Sequence, residues 1–310
     1  MPYPIDKKLV VAVSSTALFD FSEEHSIYMD RGIEAFRKYQ KDNRANPPKH
    51  GAAYPFIRRL LALNKVYLKE EPVEVVILSR NHPDAGLRVM DSVAHYELPI
   101  SRCFFLAGVL PYPYMKAVQA CLYLSTNPKE VAEAVGLGFP AGHVLPCGDR
   151  IDDARDTQLR IAFDFDGVIV NDEAERVYQD TKDLALFHHY EQQHREKPLG
   201  DGPLMPLLKK VSFFQKLERK KAALDPTYTQ HLRISIVTAR NAPAHERLIN
   251  TLAGLEIETD ELFLLGGIEK KNVLDILKPH IFFDDQLGHL TPASDTTPSV
   301  HVPFGTINKS

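Results

Sequence analysis

Along the chain, short runs of apolar residues alternate with longer stretches whose apolar positions recur every three or four residues. The runs are Leu9–Val13, Val73–Leu78, Cys103–Leu106, Leu122–Leu124, Ile161–Phe163, Ile234–Val237, Leu262–Leu265 and Ile281–Phe283. Unbroken apolar strands separated by helices predict an α/β fold of parallel sheets buried on both faces. Segments such as Gly86–Tyr96 and Ala244–Leu255 carry the helical spacing in between.

The two halves of the chain read alike. VVILSRNHPDAGLRVMDSVAHYELPISRCFFLAG aligns with ISIVTARNAPAHERLINTLAGLEIETDELFLLGG, setting Ser79 on Thr238 and Gly108 on Gly267. Further on, Ser125 falls on Asp284 at the same separation of 159 positions. VVAVSSTALF aligns with RIAFDFDGVI, placing Ser14 on Asp164 and Thr16 on Asp166, 150 positions apart, and HVLP at His143 matches HVPF at His301. Ordered anchors at nearly constant spacing predict a duplication, with one half over residues 1–150 and the other over 151–310. The polar stretch CGDRIDDARDTQ would link them.

Each half carries a long insert after its first strand. In the second half it occupies residues 172–233, roughly 60 residues where a crossover needs only about a dozen. The insert reads helical around the turn PLGDGP, as expected for a cap over the sheet's carboxyl edge.

The 310 residues are 44% hydrophobic and 25% charged, ordinary for a globular protein large enough to bury a sizeable core. A net charge of −4 gives no electrostatic case for a nucleic-acid polymer as partner. No apolar run approaches the roughly 18 residues that span a membrane, and the N-terminus has no leader-like apolar region, so the expected address is the cytoplasm. Cys103, Cys121 and Cys147 form no CxxC and are expected as buried thiols in a reducing compartment. Self-association is left open by the sequence.

The strongest chemical signal is IAFDFDGVIVND, residues 161–172. An apolar strand ends in Asp164 and Asp166, and persisting strand geometry would point both carboxylates to one spot off the sheet's carboxyl edge. Two such carboxylates repel unless a cation such as Mg²⁺ or a proton intervenes. Gly167 would let the chain turn away. Three further pieces follow in order. ISIVTAR ends a strand at Thr238, whose hydroxyl and the following backbone N–H groups could hold a phosphoryl oxygen. LLGGIEKKN puts Lys270 or Lys271 at a helix head, and IFFDDQ ends a strand with Asp284 and Asp285. Taken singly these are a cap, a surface lysine and a turn; it is their combination that points to chemistry. HHYEQQH, with His188, His189 and His194, lacks HExxH spacing and reads as a solvated helix face. GLGFPAG reads as a loop, and no P-loop motif occurs.

DFDGV, a strand-terminal threonine, a lysine and a strand ending in DD together resemble the haloacid dehalogenase-like motif series. AVSSTALFD, YPFIRRLLALN, SRNHPDAGLRVMDSVAHYEL, DEAERV, KPLGDGPL, VTARNAPAHERLINTL and KPHIFFDDQ, spread over nearly the whole chain, are similar to the cytosolic 5′-nucleotidase type I family. The resemblance implies Rossmann-like sheets of haloacid dehalogenase type. Combined with the duplication, which sets Ser14, Thr16, Ser79 and Ser125 at the matched places, it makes the first half a copy without catalytic carboxylates. Ser14, Ser15 and Thr16 of that copy could still hydrogen-bond a nucleotide or an effector. The resemblance also implies Mg²⁺-dependent hydrolysis of nucleoside 5′-monophosphates of the AMP, IMP and deoxynucleotide class. Asp164 would be the nucleophile, Asp166 the general acid/base, and Thr238 and Lys270 the grip on phosphate. Lys270 is preferred to Lys271 because the family lysine stands three residues after the second glycine, here Gly267. Asp284 and Asp285, with Asp164 and Asp166, would hold Mg²⁺. The nucleotide would meet Thr238, Ala239, Arg240 and Lys270, with Phe187 and Phe213 of the insert against the base. A phosphatase for a non-nucleotide phosphomonoester and a non-catalytic nucleotide-binding protein are the rival expectations.

Overall fold

In the computed structural model, which describes residues 3–67, 72–148, 153 and 155–308, the apolar runs become strands and the periodic stretches become helices. The chain forms two units, one ending at Glu130 and the other beginning at Val131. The first contains β1 (Leu9–Val13), α1 (Ser15–Leu18), α2 (Ser22–Asp42), α3 (Tyr54–Val66), β2 (Val73–Ser79), α4 (Pro83–His95), β3 (Arg102–Phe105), α5 (Met115–Val118) and β4 (Leu122–Ser125). Its strands lie in the order β3-β2-β1-β4, all parallel, with Leu9 beside Val73 and Val11 beside Leu122. Every residue of β1 and β2 is buried, as a strand covered on both faces requires, while the edge strand β3 is half-buried.

Helix α6 (Pro128–Gly136) crosses the boundary in sequence. The second unit then contains β5 (Ala141–Val144), β6 (Leu159–Phe163), α7 (Glu173–Thr181), α8 (Leu184–Gln193), α9 (Met205–Leu224), β7 (Leu232–Thr238), α10 (His245–Gly254), β8 (Glu261–Leu264), α11 (Lys270–Leu277), β9 (Ile281–Asp284), α12 (Leu287–Ala293) and β10 (Ser299–His301). The strand order is β5-β10-β9-β6-β7-β8, parallel except where β10 meets β5. The chain is thus an α/β protein whose ten described strands are mostly parallel.

The insert between β6 and β7 is the three helices α7, α8 and α9. Asp183 caps α8 by accepting the N–H groups of Ala185 at 2.8 Å and Leu186 at 3.2 Å. Helix α9 buries Leu207, Leu208, Val211 and Phe214 on one side. Glu218 on the same helix accepts the N–H groups of His231 at 2.7 Å and Leu232 at 2.8 Å, which fixes where β7 starts. Ala162, Val237 and Phe282 of the sheet pack with Leu274 and Leu290 in one buried apolar cluster, and Phe163 stacks on Phe283 at 5.2 Å. Burying each such large side chain stabilises the fold by about 1.5–3 kcal/mol, so the strand ends are rigid supports.

The structure departs from these expectations at two strands and at two cysteines. Strands β5 and β10 escape the apolar-run criterion because Gly142, His143, Ser299 and His301 interrupt them. Of the loop expected over GLGFPAG, residues 137–140 do connect α6 to β5, while Gly136 ends α6 and Ala141 and Gly142 begin β5. Of the cysteines only Cys121 is buried, Cys103 and Cys147 being partly exposed. The 150/151 boundary lies outside the described residues, as does the middle of the linker.

Left-handed backbone recurs at matched places. In the first unit Glu97, Ala107, Gly108 and Gln119 have positive φ; in the second Glu256, Gly266, Gly267 and Lys278 do, each 159 positions further on.

Candidate active site

Strands β6, β7 and β9 are neighbours, and their carboxyl ends carry the polar residues expected to act. Asp164 directly follows β6. Its backbone N–H donates to the Phe283 carbonyl at 2.7 Å, continuing the β6–β9 pairing, and its Oδ1 accepts the Phe165 N–H at 2.7 Å. The strand stops at Phe163, so the alternation that would aim Asp164 and Asp166 alike does not persist. Asp166 instead bridges to Val170, and Gly167 turns the chain at φ 71°. A Cβ at Gly167 would run into the Asp285 carboxylate, so glycine is needed there for space as well as conformation.

Lys270, the first residue of α11, is buried between two carboxylates. Its Nζ lies 2.8 Å from Asp164 Oδ2 and 2.7 Å from Asp284 Oδ2. Lys271 points elsewhere and pairs with Asp275 at 2.9 Å. Asp284 also accepts the Gln286 N–H at 2.8 Å, and its Oδ2 has His289 Nδ1 at 3.2 Å. Burial would raise Asp284, but Lys270 and His289 outweigh it and hold the carboxyl below its usual range. Asp164 is pushed up to about 7 by burial, with Asp284 and Asp166 adding to the push and Lys270 opposing it. Asp285 is pushed up to about 9, by burial first and then by Asp164 and Asp284. One lysine does not balance three buried carboxylates.

That imbalance bears on a metal. Oxygen and nitrogen atoms of Asp164, Asp284 and His289 lie within 4.8 Å of one another. Asp285 Oδ1 is buried with no hydrogen-bond partner. A buried acceptor without a donor, among hard oxygens with surplus negative charge, is a fit for a divalent cation.

Asp166 belongs to a different set of contacts. Arg240, two residues past the end of β7, grips it with two parallel bonds, Nε to Oδ2 at 2.7 Å and Nη2 to Oδ1 at 2.8 Å. The same guanidinium donates through Nη1 to Glu191 of α8 and to the Ala244 carbonyl at 3.0 Å. Arg247 of α10 donates to the other Glu191 oxygen at 2.8 Å, to Glu173 at 2.8 Å and to the Lys197 carbonyl at 2.9 Å. Against the upward push of burial, Arg247 and Tyr190 hold Glu173 below the usual carboxylate range.

Glu191 lies inside HHYEQQH, expected as a solvated face. That expectation fails for Glu191, which is 1% exposed, and in part for His188 and His194, half-buried against Asn241 at 3.0 Å and the Tyr190 carbonyl at 2.8 Å. His189 remains outside, 2.8 Å from Gln193. Nothing local distinguishes Glu191 from the polar residues around it; two arginines from β7 and α10 make its burial tolerable. His289 was also missed, although its position one helical turn past the DD pair was a readable hint.

The remaining expected residues divide. Thr238 is buried at the end of β7 and its hydroxyl accepts the Arg240 N–H at 3.2 Å. Ala239 is exposed beside it. Phe187 is buried with its ring centroid 5.8 Å from the Arg240 guanidinium carbon. Phe213 is 59% exposed on α9 and lines a separate small cavity with Lys209, Lys216 and Ile257. Among the described residues no helix is long and apolar enough to cross a membrane.

Comparison with known proteins adds a family. A sequence model described as 5′-nucleotidase matches residues 1–309. Cytosolic 5′-nucleotidase 1B of Homo sapiens is 33% identical over 302 residues, covering 94% of this chain and 48% of that protein. The chain therefore spans about half the length of this relative. No solved structure matches this chain.

Proposed function

The chain belongs to the 5′-nucleotidase family, and we propose that it is a Mg²⁺-dependent hydrolase of nucleoside 5′-monophosphates, of the AMP, IMP and deoxynucleotide class. The observation that carries this reading is Lys270, buried within 2.8 Å of both Asp164 and Asp284 at the carboxyl ends of parallel strands. A cation held there faces the place where a phosphoryl group would meet the Asp164 carboxylate.

Asp164 attacks phosphorus, and the bond from phosphorus to the ribose 5′-oxygen breaks. Asp166 supplies the proton that the leaving oxygen needs, then accepts one from the water that opens the aspartyl-phosphate. Thr238 and the exposed backbone at Ala239 hold phosphoryl oxygens, and Lys270 offsets their charge. Asp164, Asp284 and Asp285, beside His289, would hold Mg²⁺, which supplies further charge neutralisation on the phosphoryl oxygens. Asp166, engaged by Arg240, is left to proton transfer. Phe187 lies near enough to Arg240 to border the nucleoside. The same reading puts the protein in the cytosol.

The fold we assign to this chemistry is the haloacid dehalogenase type, present as two copies of one α/β unit with the insert α7–α9 as the cap of the second. The matched left-handed residues support the duplication, as do equivalent bonds. Ser14 N–H donates to the Leu124 carbonyl as Asp164 N–H does to Phe283, and Asn81 N–H donates to the Ser79 hydroxyl as Arg240 N–H does to Thr238. The first copy lacks the carboxylates and is non-catalytic.

Phosphate release from a panel of nucleoside monophosphates, sugar phosphates and an aryl phosphate, with Mg²⁺ and with EDTA, tests the reading. Nucleoside monophosphates should be turned over best, and only with Mg²⁺. Preference for a sugar phosphate would replace the substrate class, and binding of nucleotides without phosphate release would replace the enzyme by a binding protein.

A further inference from the structure

The two units contain the same buried arginine clamp, but only one of them extends it to an acidic group at a strand end. In the first unit Arg88 of α4 donates to Glu24, to Gln40 at 2.9 Å and to the Asn46 carbonyl at 3.0 Å. In the second, 159 positions on, Arg247 of α10 donates to Glu173, Glu191 and the Lys197 carbonyl. The acceptors Gln40 and Glu191 are 151 positions apart, as are Asn46 and Lys197. This part of the network recurs without any catalytic carboxylate nearby, so it is scaffold.

The difference lies at the next link. Glu191 faces a second guanidinium, that of Arg240, whereas the position matching Arg240 holds Asn81 and the position matching Asp166 holds Thr16. With one arginine a neutral Gln40 suffices as acceptor; between two arginines the acceptor is a carboxylate. The charged acceptor, the second arginine and the strand-end aspartate occur together or not at all.

We propose that Glu191 is a positioning residue for Asp166: anchored by Arg247, it holds the Arg240 guanidinium in the orientation that grips both Asp166 oxygens. This rests on the reading of Asp166 as the group that protonates the leaving 5′-oxygen. Glu191 sits on α8 of the insert, so the placement of the proton donor becomes a property of the insert as well as of the sheet. Without Glu191, Arg240 has one fewer carboxylate to hold it, and Asp166 loses its fixed approach to the oxygen.

The test compares kcat/KM, which reports steps only up to departure of the leaving group, for AMP and for p-nitrophenyl phosphate. The alkoxide of AMP needs a proton as the P–O bond breaks; p-nitrophenolate departs without one. Glu191→Gln should lower kcat/KM for AMP about tenfold or more, and for p-nitrophenyl phosphate less than about threefold. Arg240→Lys, which keeps a cation but not the two-bond grip, should give the same pattern and serves if the first variant fails to fold. Gln40→Ala should lower the melting temperature without changing the ratio of the two substrates. Equal losses on both substrates, no loss on either, or a changed ratio in Gln40→Ala would each overturn the proposal. Asp166→Asn separates the layers. If it spares p-nitrophenyl phosphate while Glu191→Gln does not, only the role of Glu191 fails. If Asp166→Asn hits both substrates alike, the proton-donor reading fails and this proposal with it.

Discussion

At the carboxyl ends of its strands the first unit presents hydroxyls, and they satisfy one another. Ser14 lies 3.2 Å from Thr16, Thr16 lies 2.6 Å from Thr126, and Ser15 lies 3.0 Å from Ser79. Ser125 at 3.0 Å and Tyr123 at 2.6 Å both donate to the buried Glu130. The matching places in the second unit hold Asp164, Asp166 and Asp284, and these reach outward to Lys270, His289 and Arg240. A hydroxyl is donor and acceptor at once, so a cluster of them closes on itself; an ionised carboxylate only accepts, so a cluster of carboxylates needs cations. The same strand-end geometry yields a closed network in one unit and an open, charge-hungry one in the other. The proposed function draws on the second of these, where a metal and a phosphate would supply the missing partners.

The sharpest way to break this comparison is to neutralise Asp164, the proposed nucleophile. Asp164→Asn should lower turnover of AMP by about four orders of magnitude or more, while Ser14→Ala should change it less than about twofold. A folded Asp164→Asn protein retaining above about a tenth of the activity would remove Asp164 from the role. Next comes the metal. EDTA should abolish phosphate release and Mg²⁺ restore it, and Asp284→Ala should raise the Mg²⁺ needed for half-activity about tenfold or more, since even outer partners of a metal site matter by that much. Ser125→Ala should leave that requirement unchanged; an equal shift in both would erase the distinction between the units.

The shared clamp should respond alike in both units. Arg88→Ala and Arg247→Ala each strand buried acceptors, at a cost of about 3–5 kcal/mol in denaturant melts. Arg247→Ala should be the larger because it takes an arginine from two carboxylates, Glu191 and Glu173, where Arg88→Ala takes one from Glu24. Glu191 keeps Arg240 and Glu173 keeps the Tyr190 hydroxyl, which limits the difference. A near-zero effect in either unit would show that the clamp is not structural there.

A smaller effect concerns pH. Asp164 and Asp285, raised to about 7 and about 9 in the metal-free protein, hold protons in the folded state that the unfolded chain has released. The folded state therefore carries more protons between about pH 4 and pH 9, and this site's contribution to stability falls as pH rises through that window. Mg²⁺ competes with those protons, so its stabilising shift in melting temperature should grow by a few degrees from pH 5 to pH 9. A shift that is constant, or largest at low pH, would contradict the carboxylate cluster as the binding place. The smallest expected effect is Ser125→Ala itself, about 1 kcal/mol, because Tyr123 still donates to Glu130.

Much of this arrangement was legible before any coordinates. Alternation of apolar runs and periodic stretches located eight of the ten described strands, because a strand buried on both faces has little choice but Val, Ile, Leu and Phe. Position at strand ends singled out Asp164, Thr238 and Asp284, and left Lys270 and Lys271 as alternatives that the family resemblance resolved in favour of Lys270. These properties are carried by neighbours in the chain, so the chain alone determines them. Other features were decided by packing. Strands β5 and β10 exist because each finds a partner, although neither is apolar enough to stand out. Glu191 looks in sequence like its polar neighbours, and is buried only because Arg240 and Arg247 converge on it from distant segments. Asp164 and Asp166, one residue apart, were drawn to different cations by a turn at Gly167 and by side chains some seventy to a hundred positions away. Burial of a charge depends on which opposite charges the fold brings within a few ångströms, and that distance is set by the tertiary structure.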